Sequence, residues 1–268
     1  MTKLCIYHGN CADGFSGAWV VRKALGDVVF HAGVYQNPPP DVAGKDVVLV
    51  DFSYKRQEME DIVDRAASVL VLDHHKTAEA DLADLSGATV VFDMSRAGSM
   101  IAWDHYFPGE KPPELLNHIQ DRDLWRFALP WTREIQATVF SYAYEFDIWD
   151  RLMRESVTEL AKEGYAIERK HFKDVAELTK VVTRDMTIGG HTVPVANLPY
   201  TLTSDAGHML AKDKPFAGCY WDTPEGRVFS LRSTDEGLDV SEIAKQYGGG
   251  GHKHASGFRV PYGHELAR

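Results

Sequence analysis

Short apolar runs recur along the first half of the chain, and a segment of mixed polarity separates each run from the next. The apolar runs cover residues 4–8, 46–51, 68–73 and 88–93. Continuous runs of this length are typical of strands that a parallel sheet buries on both faces. Segments of helical spacing cover residues 14–25, 54–67 and 99–106. This alternation predicts an α/β fold, with a mostly parallel N-terminal sheet and helices on both of its faces.

The second half of the chain has a different pattern. Residues 149–182 are charged and helical in spacing, which indicates one or two connecting helices. Short β-rich segments then return at residues 192–196, 218–221 and 228–232, with helical segments at 205–211 and 241–247. We therefore predict a first domain over residues 1–130, a helical connector over 131–183, and a smaller C-terminal α/β domain over 184–268.

Composition places the chain among ordinary globular proteins, with 44% apolar and 25% charged residues in 268. No apolar stretch reaches the roughly 20 residues that span a bilayer, and the N-terminus lacks signal-peptide features, so we expect a cytoplasmic protein without a membrane partner. Three scattered cysteines without CxxC spacing argue against a disulfide framework or a structural zinc site. A net charge of −10 argues against electrostatic tracking along DNA, but a local pocket for a short oligonucleotide remains compatible.

Acidic and histidine side chains fall where the predicted strands end. His8 ends the first run and Asp13 follows it, Asp51 ends the second run, and an Asp-His-His triplet at residues 73–75 ends the third. A single aspartate there is usually a turn former or helix cap. Because the carboxyl ends of parallel strands line one crevice, however, these side chains should converge. Carboxylates with imidazoles suit a divalent ion such as manganese or magnesium, so the pattern predicts a metal site.

Four motifs make a resemblance specific. They are HGNCADGFSGA at residues 8–18, Asp51 after an apolar strand, the triplet at 73–75, and GGGHKHASGF at 249–258. In this order, and over nearly the whole chain, they resemble the DHH phosphoesterase family with its C-terminal DHH-associated domain. The resemblance implies a catalytic metal-binding domain over residues 1–130 and a substrate-binding domain over 184–268, with a homodimer as a plausible assembly.

The resemblance further implies two divalent metal ions, usually manganese with magnesium possible, and hydrolysis by a metal-activated water. The implied metal ligands are His8, Asp13, Asp51, His74 and Asp121. For the last of these, Asp123 is the nearby alternative, and we place Asp121 ahead of it. Asp73 is expected to orient its histidine neighbours, and either Asp73 or His75 to assist proton transfer. The implied substrate-binding residues are Arg232, Gly249, Gly250, Gly251 and His252.

One position departs from the family pattern. Many members have Asp-x-Asp in the first motif, whereas here the earlier position is Cys11, followed by Ala12 and Asp13. The spacing from His8 to Asp13 is also one residue shorter than in the common pattern. Either one metal is bound more weakly, or Asn10 or Cys11 supplies the missing ligand.

The sequence is compatible with three functions. The favoured one is a metal-dependent phosphodiesterase that hydrolyses short oligonucleotides, or linear or cyclic dinucleotides, to mononucleotides; the acidic composition and single glycine-rich motif suit a small substrate. The alternative within the same chemistry is a RecJ-like single-strand-specific exonuclease. The alternative of another class is a non-catalytic nucleotide-binding or metal-sensing module whose ligand set has decayed at Cys11.

Overall fold

The computed structural model describes residues 2–268, which divide into two compact units, unit 1 up to residue 168 and unit 2 over residues 169–268. The α/β fold expected from the sequence is confirmed, with a five-stranded parallel sheet in unit 1 and a six-stranded mixed sheet in unit 2. Of the segment 131–183 expected to connect the domains, residues up to 168 belong to unit 1 and the remainder to unit 2. No helix within residues 2–268 combines the length and apolar character needed to cross a bilayer.

Unit 1 is built on five strands, each hydrogen-bonded in parallel to its neighbours in the order β2-β1-β3-β4-β5. The strands are β1 (Lys3–His8), β2 (Val29–Gly33), β3 (Asp46–Val50), β4 (Ser68–Asp73) and β5 (Thr89–Phe92). The helices are α1 (Ala12–Leu25), α2 (Arg56–Arg65), α3 (Lys76–Leu82), α4 (Gly98–Tyr106), α5 (Glu114–Asp123), α6 (Thr132–Ser141) and α7 (Phe146–Leu152). Helix α8 (Val157–Val182) runs across the boundary between the units.

Alternating side chains of each central strand feed two separate cores. In β1, Leu4 and Ile6 join the core that includes Ile62 of α2, whereas Cys5 joins the core that includes Val20 of α1. The central strands are therefore covered on both faces, which explains why they read as continuous apolar runs rather than alternating ones. Strand β2 escaped prediction because it lies at a sheet edge and its residues are mostly half-exposed or exposed.

The order of the strands fixes where a ligand can bind. Strand β2 pairs with one side of β1, and β3, the next strand in the chain, pairs with the opposite side of β1. In open parallel sheets the crevice at such a reversal, outside the carboxyl ends of the strands, is the usual ligand site. In this chain the crevice lies beyond the carboxyl ends of β1 and β3.

Unit 2 carries a sheet in the order β10-β11-β9-β8-β7-β6, in which β7 and β8 pair in parallel and the other neighbours pair antiparallel. Its strands are β6 (Thr183–Ile188), β7 (His191–Asn197), β8 (Ala217–Thr223), β9 (Gly226–Arg232), β10 (Gly250–His252) and β11 (Ala255–Val260). Its helices besides α8 are α9 (Thr203–Ala211) and α10 (Val240–Lys245). Phe229 and Phe258 stack within its core at 4.9 Å between ring centroids.

Two glycines let helices approach the carboxyl end of β3 closely. A Cβ added at Gly98, the first residue of α4, would lie 2.6 Å from the Cβ of Asp51. One added at Gly17 of α1 would lie 2.2 Å from a methyl carbon of Val50. Neither distance is possible for real carbon atoms, so side-chain-free positions are required for α1 and α4 to pack where they do.

We expect Gly98→Ala to lower the free energy of unfolding by about 1–3 kcal/mol, the usual penalty for overpacking. Alanine favours helix by up to about 1 kcal/mol over glycine, so any loss means that the collision with Asp51 outweighs helix propensity. Denaturant unfolding measures the change, with Gly263→Ala as the control because a Cβ there meets no atom within 4 Å. A stabilised Gly98→Ala protein would contradict the close packing of α4 on Asp51.

Candidate metal centre

The carboxylate of Asp51 lies at the centre of a cluster of imidazoles beyond the carboxyl ends of β1, β3 and β4. Its Oδ2 atom is 3.4 Å from Nδ1 of His8, which ends β1. Its Oδ1 atom is 3.0 Å from Nε2 of His74 and 3.8 Å from Nδ1 of His75, both of which directly follow β4. The structure therefore brings together side chains from the ends of three strands that are separate in the sequence, between residues 8 and 75.

The backbone of Asp51 turns sharply as it leaves β3. Its φ of +54° lies in the left-handed region, which aspartate tolerates better than most residues but which is uncommon outside glycine. The chain turns at a residue that is still bonded to the neighbouring strand, because the backbone N–H of Asp51 donates to the carbonyl of Leu72 at 2.9 Å. Unusual backbone of this kind is concentrated at functional sites, and here it places a buried carboxylate at the sheet edge.

Asp13 joins the cluster from the first turn of α1. Its carboxylate accepts the backbone N–H groups of Gly98 at 2.7 Å and of Ser99 at 3.0 Å, as well as the Ser99 hydroxyl, so it caps the start of α4. Its Oδ2 atom also lies 3.7 Å from Nε2 of His74. Asp13 therefore has a structural role and a place in the cluster at once.

Asp123, and not Asp121, lies among these side chains. The Oδ2 atom of Asp123 is 3.4 Å from Nε2 of His74. The carboxylate of Asp121 instead accepts the backbone N–H groups of Ala128 and Leu129 and the hydroxyl of Thr132, at 2.7–3.1 Å. The sequence placed Asp121 ahead, but its oxygens hold the loop after α5 in place, whereas the alternative, Asp123, faces the histidine.

The donor atoms form two groups within unit 1. One consists of His8, Asp51 and His75, and the other of Asp13, His74 and Asp123; in each, one nitrogen or oxygen atom per residue lies within 4.8 Å of the others. Within these groups, Oδ2 of Asp51 and Oδ2 of Asp123 are buried and accept no hydrogen bond among the described residues. Buried carboxylate oxygens rarely lack a partner, so the residues present could bind divalent metal.

Asp73 holds the neighbouring histidines from behind. Its Oδ1 atom lies 2.7 Å from Nδ1 of His75 and accepts the backbone N–H of His74 at 2.7 Å. Its Oδ2 atom accepts the hydroxyl of Ser53 at 2.6 Å. A carboxylate that bonds one ring nitrogen of a histidine fixes the orientation of the other, as the outer partners of metal-binding histidines do.

Burial and mutual repulsion set the charges of the cluster. Burial, together with Asp51 and Asp123, raises the pKa of Asp13 well above its usual value. Burial would likewise raise the pKa of Asp51, but His74 and His8 hold it well below the usual range. Burial would lower the pKa of His74, and the surrounding carboxylates overcome this effect and raise it to about 10. Without a cation, then, the cluster is balanced by protons.

Two side chains at the cluster had no signal in the sequence. The ring of Tyr35 contacts His8 and His75 edge-on, with centroids 5.4 and 5.9 Å apart, and remains 41% exposed. It follows β2, the strand that the hydrophobic pattern did not reveal. The sequence analysis also missed Ser53, whose hydroxyl donates to Asp73. Its place shortly after the end of a buried strand is the one signal that could have indicated it.

The five residues expected to bind substrate all lie in unit 2. Arg232 ends β9 and is paired with Ala255 of β11, which is in turn paired with His252 of β10. The guanidinium of Arg232 donates to the hydroxyls of Ser230 at 2.9 Å and Ser204 at 2.8 Å.

The glycines before His252 are needed by the backbone itself. A Cβ at Gly249 would lie 2.1 Å from the carbonyl oxygen of Gly257, and Gly251 has a φ of +135°. Gly250 pairs with Gly257 between these two positions, in β10. The glycine-rich segment is therefore part of the sheet rather than a loose surface turn.

Comparisons with known proteins agree with this architecture. No protein-family model matches the chain. An uncharacterized protein of Acanthamoeba polyphaga mimivirus is 30% identical over 278 residues, which cover 94% of this chain, and the chain spans 66% of the length of that relative. The aligned region extends through both units, but the name of this relative states no activity.

Solved structures extend the comparison. A pGpG-specific phosphodiesterase, PggH, from Vibrio cholerae has a TM-score of 0.52 at 14% identity, covering 97% of this chain and 94% of that one. An exopolyphosphatase-related protein from Bacteroides fragilis has a TM-score of 0.44 at 13% identity, covering 96% and 87% of the two chains. The likeness to the Vibrio enzyme shows that the chain has a similar fold.

A matched pair of substitutions separates the roles of the two aspartates of α5. We expect Asp121→Ala to lower the free energy of unfolding by about 1–3 kcal/mol, because it leaves backbone donors without their acceptor. Asp123→Ala should change it by less than about 1 kcal/mol, because no hydrogen bond to Oδ2 is lost, while it weakens divalent-metal binding. Denaturant unfolding and titration calorimetry with manganese measure the two effects. A reversed pattern would restore Asp121 to the metal centre.

Metal affinity should rise with pH. A histidine binds metal only as the neutral imidazole, and the metal-free pKa of about 10 means that His74 carries a proton throughout the neutral range. Each ion bound must displace such protons, so affinity increases from pH 6.5 to pH 8.5, and calorimetry in buffers of different ionisation enthalpy should detect their release. His31→Gln, in β2, serves as the control for a histidine outside the cluster. An affinity independent of pH would contradict the protonated state.

Proposed function

We propose that this protein is a metal-dependent phosphodiesterase that hydrolyses short oligonucleotides or dinucleotides to mononucleotides. The observation that carries the proposal is the position of the Asp51 carboxylate. One of its oxygens faces His8 at 3.4 Å and the other faces His74 at 3.0 Å, so a single buried side chain lies between the two groups of donors. A bridging carboxylate is the arrangement that a two-metal hydrolase needs.

The residues of the cluster would hold two divalent ions, with manganese as the preferred ion and magnesium as the alternative. When bound, such ions lower the pKa of a water molecule to supply a nucleophile near neutral pH, and they neutralise charge on the phosphate. We assign Asp123 to the position for which the sequence favoured Asp121, because only Asp123 faces His74. Asp73 is a positioning residue that acts through His75.

Unit 2 would supply contacts to the phosphate and the rest of the substrate. The Arg232 guanidinium has the planar geometry that recognises phosphate oxygens, and two serine hydroxyls fix it in place. The backbone of Gly249, Gly250 and Gly251, together with His252, is proposed to approach the same phosphate. This assignment rests on the sequence resemblance and on their common register in one sheet.

A small substrate fits the charge of the protein. With a net charge of −10, the surface repels a long polyanion more than a molecule that carries one or two phosphodiester groups. The linear dinucleotide pGpG, named for the structurally similar Vibrio cholerae enzyme, is therefore the first substrate to examine. The alternatives are a single-strand exonuclease and a non-catalytic nucleotide-binding module.

With manganese, we expect release of mononucleotides from pGpG or another linear dinucleotide, and loss of that activity with a chelator. Asp51→Asn should lower kcat/KM by more than about 100-fold, since even outer partners of metal ligands cost up to that much. Chromatography of products from linear dinucleotides, cyclic dinucleotides and longer single strands measures the preference. Circular dichroism establishes that the variant keeps its fold.

Asp64→Asn is the matched control, because this exposed carboxylate of α2 lies outside the cluster. It should hydrolyse the same substrate at the wild-type rate. Turnover of long single strands without dinucleotides would favour the exonuclease. Nucleotide binding without turnover, at any manganese concentration, would favour the non-catalytic module, and wild-type activity in Asp51→Asn would refute the bridging role.

A further inference from the structure

An exposed aromatic side chain lies beside the donor groups of unit 1. Tyr35 is 41% exposed, and its ring contacts the imidazoles of His8 and His75 edge-on, with centroids 5.4 and 5.9 Å apart. We infer that the ring of Tyr35 stacks on a nucleobase of the substrate, so that the site selects nucleotides over phosphoesters that lack a base. The inference rests on the proposed function, because it concerns the ligand of the same centre.

The parallel sheet places Tyr35 at the edge where ligands bind. Gly33, the last residue of β2, pairs with His8, the last residue of β1. Tyr35 follows Gly33 by two residues, so it lies beyond the same carboxyl edge of the sheet as the histidine. A nucleotide whose phosphate lies at the donor groups would therefore have the ring of Tyr35 within reach of its base.

Packing accounts for the neighbouring aromatic rings but not for the exposure of Tyr35. The ring centroid of Phe52 lies 4.8 Å from that of Tyr35 and 4.8 Å from that of Tyr54. Phe52 and Tyr54 are buried and belong to the core under one face of the sheet. Tyr35 packs on Phe52 at 36° between the ring planes, yet much of its own surface stays open to solvent. A packed ring with an exposed surface is what a base-stacking platform requires.

The backbone turn that carries Tyr35 is an unusual one. The backbone N–H of Asn37 donates to the carbonyl of Val34 at 3.1 Å, which closes a four-residue turn with Tyr35 at its second position. Gln36 occupies the third position with a φ of +69°, where glycine or asparagine is the usual residue. Because such backbone is concentrated at functional sites, the turn favours a ligand-binding role for this loop over that of a simple connection.

Stacking also suits the charge of the centre. The carboxylates of Asp13, Asp51 and Asp123 belong to the donor groups, so a phosphate gains little from this unit unless cations are bound. An aromatic ring attracts a base without any charge, and every base has a flat face that it can use. Tyr35 should therefore add affinity for the base of a nucleotide while discriminating little between one base and another.

Product nucleotides test the inference without reliance on turnover. Guanosine monophosphate (GMP) and ribose 5-phosphate carry the same phosphate and sugar, and only GMP carries a base. Titration calorimetry in the presence of manganese should find that the wild-type protein binds GMP more tightly. Tyr35→Ala should weaken the binding of GMP on the order of 10- to 100-fold, the usual cost of a lost stacking contact, and leave the affinity for ribose 5-phosphate unchanged.

Two further variants and a control separate stacking from a structural role. Tyr35→Phe keeps the ring and should bind GMP as the wild-type protein does. Tyr35→Leu keeps apolar bulk against Phe52 without a flat ring, so it should resemble Tyr35→Ala and replaces that variant if alanine prevents folding. Tyr165→Ala, at a tyrosine of α8 that is 47% exposed, is the matched control and should change neither affinity. Circular dichroism verifies the folding of each variant.

Equal losses for both ligands in Tyr35→Leu, or wild-type affinity for GMP in that variant, would overturn the inference. A loss in Tyr35→Phe as large as that in Tyr35→Leu would do the same, because it would assign the affinity to the hydroxyl. So would a wild-type protein that binds GMP no better than ribose 5-phosphate.

The proposed function fails separately, through an absence of hydrolysis of every dinucleotide by the manganese-loaded wild-type protein. A preference for GMP that depends on Tyr35, in a protein that hydrolyses nothing, would leave the stacking assignment standing and favour the non-catalytic nucleotide-binding module. Hydrolysis of dinucleotides with no effect of Tyr35→Leu on GMP binding would leave the phosphodiesterase standing and refute the stacking.

Discussion

The structure of unit 1 depends on keeping the Asp51 carboxylate buried at the carboxyl end of β3. A carboxylate withdrawn from water is costly unless opposite charge or hydrogen bonds compensate it. Here the imidazoles of His8 and His74 provide that compensation, and they do so from two other strands. Because β1, β3 and β4 are neighbours in a parallel sheet, their register brings these three side chains to one edge.

The aspartates around this centre divide into two kinds according to what their oxygens bind. Asp13, Asp73 and Asp121 accept backbone N–H groups and so fix α4, the histidine pair and the loop after α5. Asp51 and Asp123 each keep a buried oxygen without a hydrogen-bond donor among the described residues. The first kind stabilises the folded chain, whereas the second kind keeps oxygens that could bind the cations that we propose. Asp13 combines both roles, because it caps α4 and also belongs to a donor group.

Close packing of backbone makes this division possible. Gly98 lets α4 begin directly against Asp51, and its N–H is then available to Asp13. The left-handed backbone of Asp51 directs its side chain into the same crevice. A methyl group at Gly98 would push the start of α4 away from the end of β3. The hydrogen bonds by which Asp13 caps α4 would then weaken. The role of Gly98 is therefore to let the helix and the strand end come close together.

The sequence by itself determined the strands that feed the centre and the residue types at their ends. Continuous apolar runs reveal strands buried on both faces, and His8, Asp51 and His74 follow from where those runs stop. Edge strand β2 could not be recognised in this way, because its half-exposed residues carry no such run. Tyr35, which follows β2, was therefore hidden too.

Only the tertiary structure decided between Asp121 and Asp123. The two residues lie on one helix, and a separation of two positions turns their side chains by roughly 200° about its axis. They must face opposite ways, but spacing does not say which faces the sheet edge. The packing of α5 beside α1 and α4 sets that rotation, with Leu115, Leu116 and Ile119 in the shared core. Long-range packing fixes the rotation of a helix about its axis, and here that rotation turns Asp123 rather than Asp121 toward His74.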